Sequence, residues 1–217
     1  MLLLRPPGVY RIDRDSTLLA DVLARTGYAE GRDVLDVGAG TGVLALSAAR
    51  AGARSVTAVD LSRRSTLATW MNCRLHGAPV TVLRGDLFEP VIGRRFDLVV
   101  ANPPYVPSRV SVPARHRIGR CWDAGQDGRL LLDRICAGVS DVLAEDGTLL
   151  LVQSEVSGEE TTVSRLTEAG LMAKVVDRAA LPFGPVMSAR AALLEARGLI
   201  TPGQREEEIV VVEARRG

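Results

Sequence analysis

The chain has 217 residues, of which 47% are hydrophobic and 24% are charged, and its formal net charge is +1 at pH 7. These values predict a single globular domain over residues 1–217 and argue against a broad basic surface for nucleic acid, although they do not exclude such a partner. The absence of an apolar run of roughly 20 residues argues against a membrane-spanning segment. Three scattered cysteines (Cys73, Cys121 and Cys136) without CxxC spacing predict no disulfide framework and no metal site, and they favour a cytoplasmic location.

Short β-branched runs alternate with amphipathic segments, which is the pattern of β-α-β units. A helical lead-in within residues 1–30 is predicted to hold a helix over 17–25, capped by Asp15 or Ser16 and ended by Gly27. Strands are predicted, in chain order, over residues 33–37, 55–59, 80–83, 96–101, 148–153, 174–178 and 209–214. The fold class is therefore α/β with a doubly wound sheet, in which ligands bind beyond the carboxyl ends of the strands.

Later segments give more local predictions. A long helix is predicted over 128–143, and Ser157 with Glu160 has the spacing of a capping box ahead of another helix. The extended segment 179–208 separates the last two strands and includes a predicted helix over 188–197. Ser62 is predicted to cap a helix whose apolar residues recur at helical spacing: Leu67, Trp70, Met71 and Leu75.

A glycine-rich turn with the spacing GxGxG, at Gly38, Gly40 and Gly42, follows the first strand. Val43 stands where the dinucleotide fingerprint GxGxxG requires glycine. Asp36 ends the strand with a carboxylate, which suits an ammonium-bearing ligand better than a pyrophosphate. The turn therefore favours S-adenosylmethionine, while a dinucleotide or a purely structural turn remain as alternatives.

Acidic residues also end the next two strands. Asp60, followed by Leu61, is placed to accept hydrogen bonds from two ribose hydroxyls, or alternatively to cap a helix. Asp86 is placed to accept from an adenine amino group, with Leu87 against the ring, although an Asp after a strand is often a turn residue. The three acidic sites on successive strands together predict a nucleoside-containing cofactor.

The tetrapeptide Asn102-Pro103-Pro104-Tyr105 follows the apolar fourth strand. Its prolines fix φ and remove two N–H donors, so the loop can offer acceptors to a planar NH₂ group. The Asn102 side-chain oxygen and the Pro103 carbonyl would each accept one hydrogen, and Tyr105 could stack on the planar group. This arrangement predicts methyl transfer to an amide or amino nitrogen by positioning, with no residue required as a general base.

These motifs together resemble the HemK-like methyltransferases, which methylate the glutamine of the Gly-Gly-Gln motif in peptide-chain release factors. The resemblance runs from Val9 to Ala214 and is closest to the short eukaryotic and archaeal branch. Two further stretches carry it: Val9-Tyr10-Arg11-Ile12-Asp13-Arg14-Asp15-Ser16 and Trp122-Asp123-Ala124-Gly125-Gln126-Asp127-Gly128. It implies a seven-stranded Rossmann-like methyltransferase sheet, mostly parallel, with an antiparallel last strand.

The resemblance also implies site residues and partners. Residues matching those that touch the family's cofactor are Ser16, Asp36, Gly38, Asp60, Asp86, Leu87 and Asn102. It implies a release factor as protein substrate and a small zinc-binding activator subunit as partner. Ile12 departs from the proline of the family motif. The alternatives are methylation of an exocyclic amino group of adenine or guanine in RNA or DNA, methylation of a small secondary metabolite, and a catalytically silent cofactor-binding module.

Overall fold

The computed structural model describes residues 3–9, 14–109 and 123–217. In these ranges the helices are α1 (Arg14–Thr26), α2 (Val43–Arg50), α3 (Arg63–Leu75), α4 (Leu130–Gly138), α5 (Glu159–Glu168) and α6 (Pro185–Ala196). The strands are β1 (Asp33–Val37), β2 (Ser55–Asp60), β3 (Val80–Arg84), β4 (Phe96–Ala101), β5 (Leu143–Ser154), β6 (Leu171–Pro182) and β7 (Glu206–Arg216). No helix within the described ranges is both long enough and apolar enough to cross a membrane.

The strands form one sheet in the order β3-β2-β1-β4-β5-β7-β6. Neighbours from β3 to β5 pair in parallel, whereas β7 lies antiparallel between β5 and β6. The predicted mostly parallel, doubly wound sheet with an antiparallel last strand is confirmed. Strand order reverses at the boundary between β1 and β4, so the crevice at their carboxyl ends is the expected ligand site.

Strands β1 and β4 at the centre of the sheet have the bounds that the sequence predicts, and they are almost wholly buried. The helix predicted over 128–143 is wrong in length, because α4 ends at Gly138 and a 3₁₀ turn follows it. β5 begins five residues before the predicted strand, because Leu143 pairs with Phe96 before the register shifts and Thr148 pairs with Leu98. A β-bulge of this kind is not visible as alternation in the sequence.

The apolar residues of α3 lie mainly on its outer face. Ser62 accepts a hydrogen bond from the Ser65 amide and caps the helix as predicted. However, Leu67, Trp70 and Leu75 are 53%, 51% and 59% exposed, so their helical spacing does not mark the core face. The buried residues of α3 are instead small or polar: Ser65, Ala68, Thr69, Asn72 and Cys73.

The stretch over 179–208 is largely regular in structure. β6 continues to Pro182, α6 occupies the middle with Pro185 in its first turn, and β7 begins at Glu206. Proline is favoured at that position because its missing N–H would have no partner within the helix. The inner face of α6 is formed by the buried residues Met187, Ala191 and Leu194. The segment therefore consists of the end of β6, a helix that connects the two long antiparallel strands, and the start of β7.

Candidate functional site

The glycine-rich turn is held against the end of β2. The amides of Gly38 and Ala39 donate to the Val59 carbonyl at 2.9 and 3.1 Å, and the Gly40 amide donates to Asp60 Oδ2 at 2.9 Å. A Cβ added at Gly38 or Gly40 would find no atom closer than 3.9 Å. The turn therefore leaves a cradle along its backbone, and a ligand can approach it closely.

Gly42 ends this turn directly before α2 and has a φ of 83°. A Cβ there would lie 2.9 Å from Thr69 Cγ2, so close packing of α2 on α3 requires glycine. Two buried polar residues of α3 complete the support. Thr69 donates to the Gly40 carbonyl, and Asn72 donates to the Thr41 carbonyl at 2.9 Å. We did not predict these supports, although two polar residues on one helix face were a visible signal.

Asp36 is fully buried at the end of β1. Its Oδ2 accepts from the Ala45 amide at 2.9 Å and so caps the first turn of α2, where Gly42 offers no side chain. Its Oδ1 has no hydrogen-bond partner among the described residues. Burial raises the pKa of this carboxyl to about 7, the bond from Ala45 lowers it, and the charge of Asp60 raises it further. An unpartnered buried acceptor beside the glycine turn fits the ammonium group of the predicted cofactor.

Asp60 is oriented by the backbone on both sides. Its Oδ2 accepts from Gly40, and its Oδ1 accepts from the Ser62 amide at 2.8 Å. Each carboxylate oxygen has two lone pairs, so these bonds fix the direction of the group that is predicted to bind ribose. Leu61 directly after it is 39% exposed.

Asp86 and Leu87 line a shallow groove of about 450 Å³ beyond β3, together with Phe88, Ile92 and Arg134 among others. Arg134 of α4 donates to Asp86 Oδ2 at 2.9 Å. Leu87 has a φ of 48°, a backbone conformation that is uncommon outside glycine. Asp86 is therefore a groove residue with a cationic neighbour, Arg134, which was not among the predicted site residues.

The carboxamide of Asn102 is oriented by α1. Its Nδ2 donates to Ser16 Oγ at 2.9 Å across 86 residues of sequence. The predicted cap at Asp15 or Ser16 is wrong, because α1 begins at Arg14 and both residues belong to its first turn. Because the side-chain Nδ2 already donates to Ser16, Oδ1 is the side-chain atom of Asn102 that can accept a hydrogen bond from a ligand. The backbone oxygen of Asn102 lies 4.0 Å from the Cβ position of Gly38, so the tetrapeptide borders the glycine turn.

Tyr105 is buried and is held at both ends. Its hydroxyl donates to Asp15 Oδ2 at 2.9 Å, and its carbonyl accepts from Ser157 Oγ at 2.7 Å. The predicted capping box is wrong, since α5 begins after Gly158 without a side-chain cap and Ser157 instead supports this loop. Adjacent residues of α1, Asp15 and Ser16, thus contact the last and first residues of the tetrapeptide.

A glycine behind Tyr105 is required by the packing. Gly128 has a φ of 80°, and a Cβ there would lie 2.3 Å from the Tyr105 carbonyl oxygen and 2.7 Å from Ser157 Oγ. We expect Gly128→Ala to lower the melting temperature by at least about 2 °C, because the clash and the strained φ together should cost more than about 1 kcal/mol. Differential scanning calorimetry checks this, with Gly27→Ala as the control for φ strain alone, since a Cβ there meets no atom within 4 Å. Equal melting temperatures for the two variants would contradict the packing role.

The structure therefore brings together the ends of β1, β2 and β4. Asp36, Asp60 and Asn102 surround the glycine turn, whereas Asp86 lies at the outer end of this row, beyond β3. Pro103 and Pro104 connect Asn102 to the anchored Tyr105. Tyr10 to Asp13 of the opening motif and Trp122 of the second motif lie outside the described residues. The ligand-binding and catalytic roles that the sequence analysis assigned to all of these site residues remain predictions.

Known proteins are similar to this chain in sequence. Residues 2–118 match the family described as the methyltransferase small domain. Over 181 residues the chain is 31% identical to a Methanocaldococcus jannaschii protein assigned as a protein N5-glutamine methyltransferase, covering 83% of this chain and 90% of that protein. It is 30% identical to the release factor glutamine methyltransferase of Geobacter sulfurreducens, covering 70% of this chain and 55% of the relative. The chain thus spans about half the length of this bacterial relative.

Two solved structures have a similar fold. The E. cuniculi Mtq2–Trm112 complex, described as responsible for methylation of the eRF1 translation termination factor, has a TM-score of 0.64 at 23% identity, covering 97% of this chain and 99% of that chain. The T. thermophilus 16S rRNA N2 G1207 methyltransferase, solved with AdoMet and guanosine, has a TM-score of 0.64 at 23% identity, covering 98% of this chain and 46% of that chain.

Proposed function

The chain belongs to the methyltransferase small domain family and to its HemK-like members, and we propose that it methylates the side-chain amide of a protein glutamine. It is an S-adenosylmethionine-dependent N-methyltransferase. The acceptor that we propose is the glutamine of the Gly-Gly-Gln motif of a peptide-chain release factor. Relatives named for this activity support the proposal, and a substrate that acts at the ribosome agrees with the predicted cytoplasmic location.

The observation that carries the proposal is the hydrogen bond from Asn102 Nδ2 to Ser16 Oγ. With its nitrogen engaged, the carboxamide presents Oδ1 as an acceptor for one N–H of the substrate amide. The Pro103 carbonyl would accept the other N–H, and neither proline offers a competing donor. A glutamine NH₂ has the two donors that this pair of acceptors requires.

When bound, the cofactor supplies an electrophilic methyl group on a sulfonium centre. The glycine turn, Asp36 and Asp60 would hold it at the ends of β1 and β2, and Asn102 would hold the acceptor nitrogen at the end of β4. Fixing two reactants in line can supply several kcal/mol of the barrier reduction, and this positioning is the contribution to catalysis that these residues would make. Tyr105, anchored by Asp15 and Ser157, keeps the loop rigid between these contacts.

Transfer of a radiolabelled methyl group from S-adenosylmethionine into a lysate tests the proposal. Protein and nucleic-acid fractions are counted separately, together with a small-molecule fraction. We expect label in a protein band of release-factor size, and none with heat-denatured enzyme. Label confined to nucleic acid would contradict the proposal and indicate an exocyclic amino group as the acceptor, whereas label confined to small molecules would indicate a metabolite.

We also propose that a small activator subunit covers the outer face of α3, and the family resemblance implies that this subunit binds zinc. Leu67, Trp70 and Leu75 are exposed there. Arg63, Arg64 and Arg74 lie among them by helical position, and residues 61–85 contain no acidic residue. Exposed apolar side chains rimmed by charges of one sign fit a partner with an apolar centre and an acidic rim.

Trp70→Ser combined with Leu75→Ser is expected to abolish binding of the small zinc-binding subunit, because both apolar contacts are lost. Co-purification from cells that express the two chains together measures this, and the thermal stability of the variant alone verifies that it is folded. Met172→Ser removes a side chain of similar exposure from β6 and should leave binding unchanged. Equal recovery of the subunit with both variants would place the partner elsewhere.

A further inference from the structure

Helix α6 contacts the part of the chain that follows the Asn102–Tyr105 loop. Arg190 on α6 donates from Nη1 to the Pro107 carbonyl at 2.8 Å. The same side chain forms an ion pair with Asp123 and is only 21% exposed. One guanidinium therefore joins two segments that are distant from α6 in sequence.

A second arginine makes matching contacts directly after the last residue of α6. Arg197 donates from Nη1 to the Ser108 carbonyl and to the Gln126 carbonyl, each at 2.9 Å. The planar guanidinium suits such divergent acceptors because its donors have a fixed geometry. Arg190 and Arg197 thus each bridge residues 106–108 to residues 123–126.

These two segments also pair with each other. The Ala124 amide donates to the Val106 carbonyl at 3.2 Å, and the Ser108 amide donates to the Gly125 carbonyl at 2.7 Å. Val106 directly follows Tyr105, and Gly128 packs on the Tyr105 carbonyl. The paired segments are therefore a continuation of the loop that carries Asn102, and α6 braces them from outside.

The sheet order separates this brace from the cofactor residues. Asp36 and Asp60 end β1 and β2 on one side of β4, whereas α6 connects β6 and β7 on the other side. A change at α6 can consequently alter the acceptor side of the crevice while the glycine turn keeps its contacts with β2 and α3.

Loss of these contacts is expected to lower the melting temperature by several degrees but to leave the fold intact, because the two arginines contact loop carbonyls and one carboxylate rather than the apolar core. Misplacement of a reacting group by about 1 Å, however, can lower a rate about 100-fold. Loss of the brace should therefore affect catalysis more than folding.

We propose that Arg190 and Arg197 are positioning residues for the methyl acceptor, and this rests on the proposed function. They fix the segments after Tyr105 so that the acceptor amide meets Asn102 in a constant geometry. The stretch between β6 and β7 then serves the acceptor half of the reaction and leaves cofactor binding to the other half of the sheet.

The test compares Arg190→Ala with Arg197→Ala, alone and combined, in the full chain. We expect the combined variant to lower kcat/KM for purified release factor at least about tenfold, with the affinity for S-adenosylmethionine close to wild type and the protein still folded at the assay temperature, which its melting curve verifies. Arg190→Lys should recover part of the loss, since a lysine ammonium can reach one of the two acceptors but not both in the arginine geometry.

Arg205→Ala is the matched control, because Arg205 lies in the same connection but pairs with Glu195 of α6. It should leave kcat/KM unchanged. An unchanged kcat/KM in the combined variant, or an equal fall in cofactor affinity, would overturn the positioning role. If wild-type enzyme transfers no methyl group to release factor, the proposed function fails, and the same variants are then assayed on the acceptor that the labelled lysate reveals.

Discussion

Asn102→Ala is expected to lower the rate of methyl transfer at least about 100-fold while the affinity for S-adenosylmethionine stays within about threefold. The variant removes the Oδ1 acceptor that would orient the substrate nitrogen, but it leaves the glycine turn and both acidic residues of β1 and β2 intact. Single-turnover transfer of labelled methyl groups measures the rate, and isothermal titration calorimetry measures the affinity.

Ser16→Ala is the companion variant, since it removes the partner of Asn102 Nδ2 and leaves Oδ1 in place. A lost hydrogen bond of about 0.5–1.5 kcal/mol corresponds to an approximately threefold to tenfold effect, so its loss of rate should be much smaller. If calorimetry showed that cofactor affinity collapses in Asn102→Ala, the nitrogen-orienting role of this residue would be wrong.

Asp36→Asn is expected to weaken binding of S-adenosylmethionine about 10- to 100-fold above neutral pH, because a hydrogen bond to a charged group contributes about 1.5–3 kcal/mol. The asparagine can still accept from the Ala45 amide and cap α2, so the variant removes charge with little change of shape. In the wild-type protein, affinity for this cationic ligand should increase as the pH rises through the Asp36 pKa of about 7, because the carboxyl becomes negatively charged. Calorimetric titrations across this range measure both effects, and a pH-independent wild-type affinity would contradict the assignment of Asp36.

The same group makes the stability of the ligand-free protein depend on pH. An unperturbed Asp carboxyl has a pKa of 3.8, whereas the pKa of Asp36 in the folded chain is about 7. Between these two pH values the folded state therefore binds more protons than the unfolded state. The contribution of Asp36 to stability therefore falls as the pH rises from about 4 to about 7. Asp36→Asn lacks this loss and should be the more stable protein above neutral pH when no cofactor is present. Thermal unfolding of both proteins at acidic and at mildly alkaline pH measures the difference.

Local sequence could predict the central strands and the motifs at their ends. β1 and β4 are short strands rich in Val and Leu that end at Asp36-Val37-Gly38 and at Asn102-Pro103, and turn residues of this kind indicate the boundary of a buried strand. The position of these motifs followed because parallel strands align their carboxyl ends at one edge of the sheet.

Contacts that depend on tertiary packing could not be predicted in the same way. Ser16 and Ser157 have the local spacing of helix caps, yet their hydroxyls bond to Asn102 and to Tyr105, which are 86 and 52 residues away. The inner face of α3 packs through small and polar side chains because Gly42 and the glycine turn lie directly against it. Helical periodicity identifies an apolar face, but it does not say whether that face is covered by this chain.

The most direct test of the central claim is tandem mass spectrometry of purified release factor after incubation with the enzyme and S-adenosylmethionine. Nitrogen orientation by Asn102 predicts one added methyl group on the side-chain amide of the Gly-Gly-Gln glutamine, and none when Asn102→Ala is used. Methylation of another residue, or equal methylation by the variant, would contradict the account.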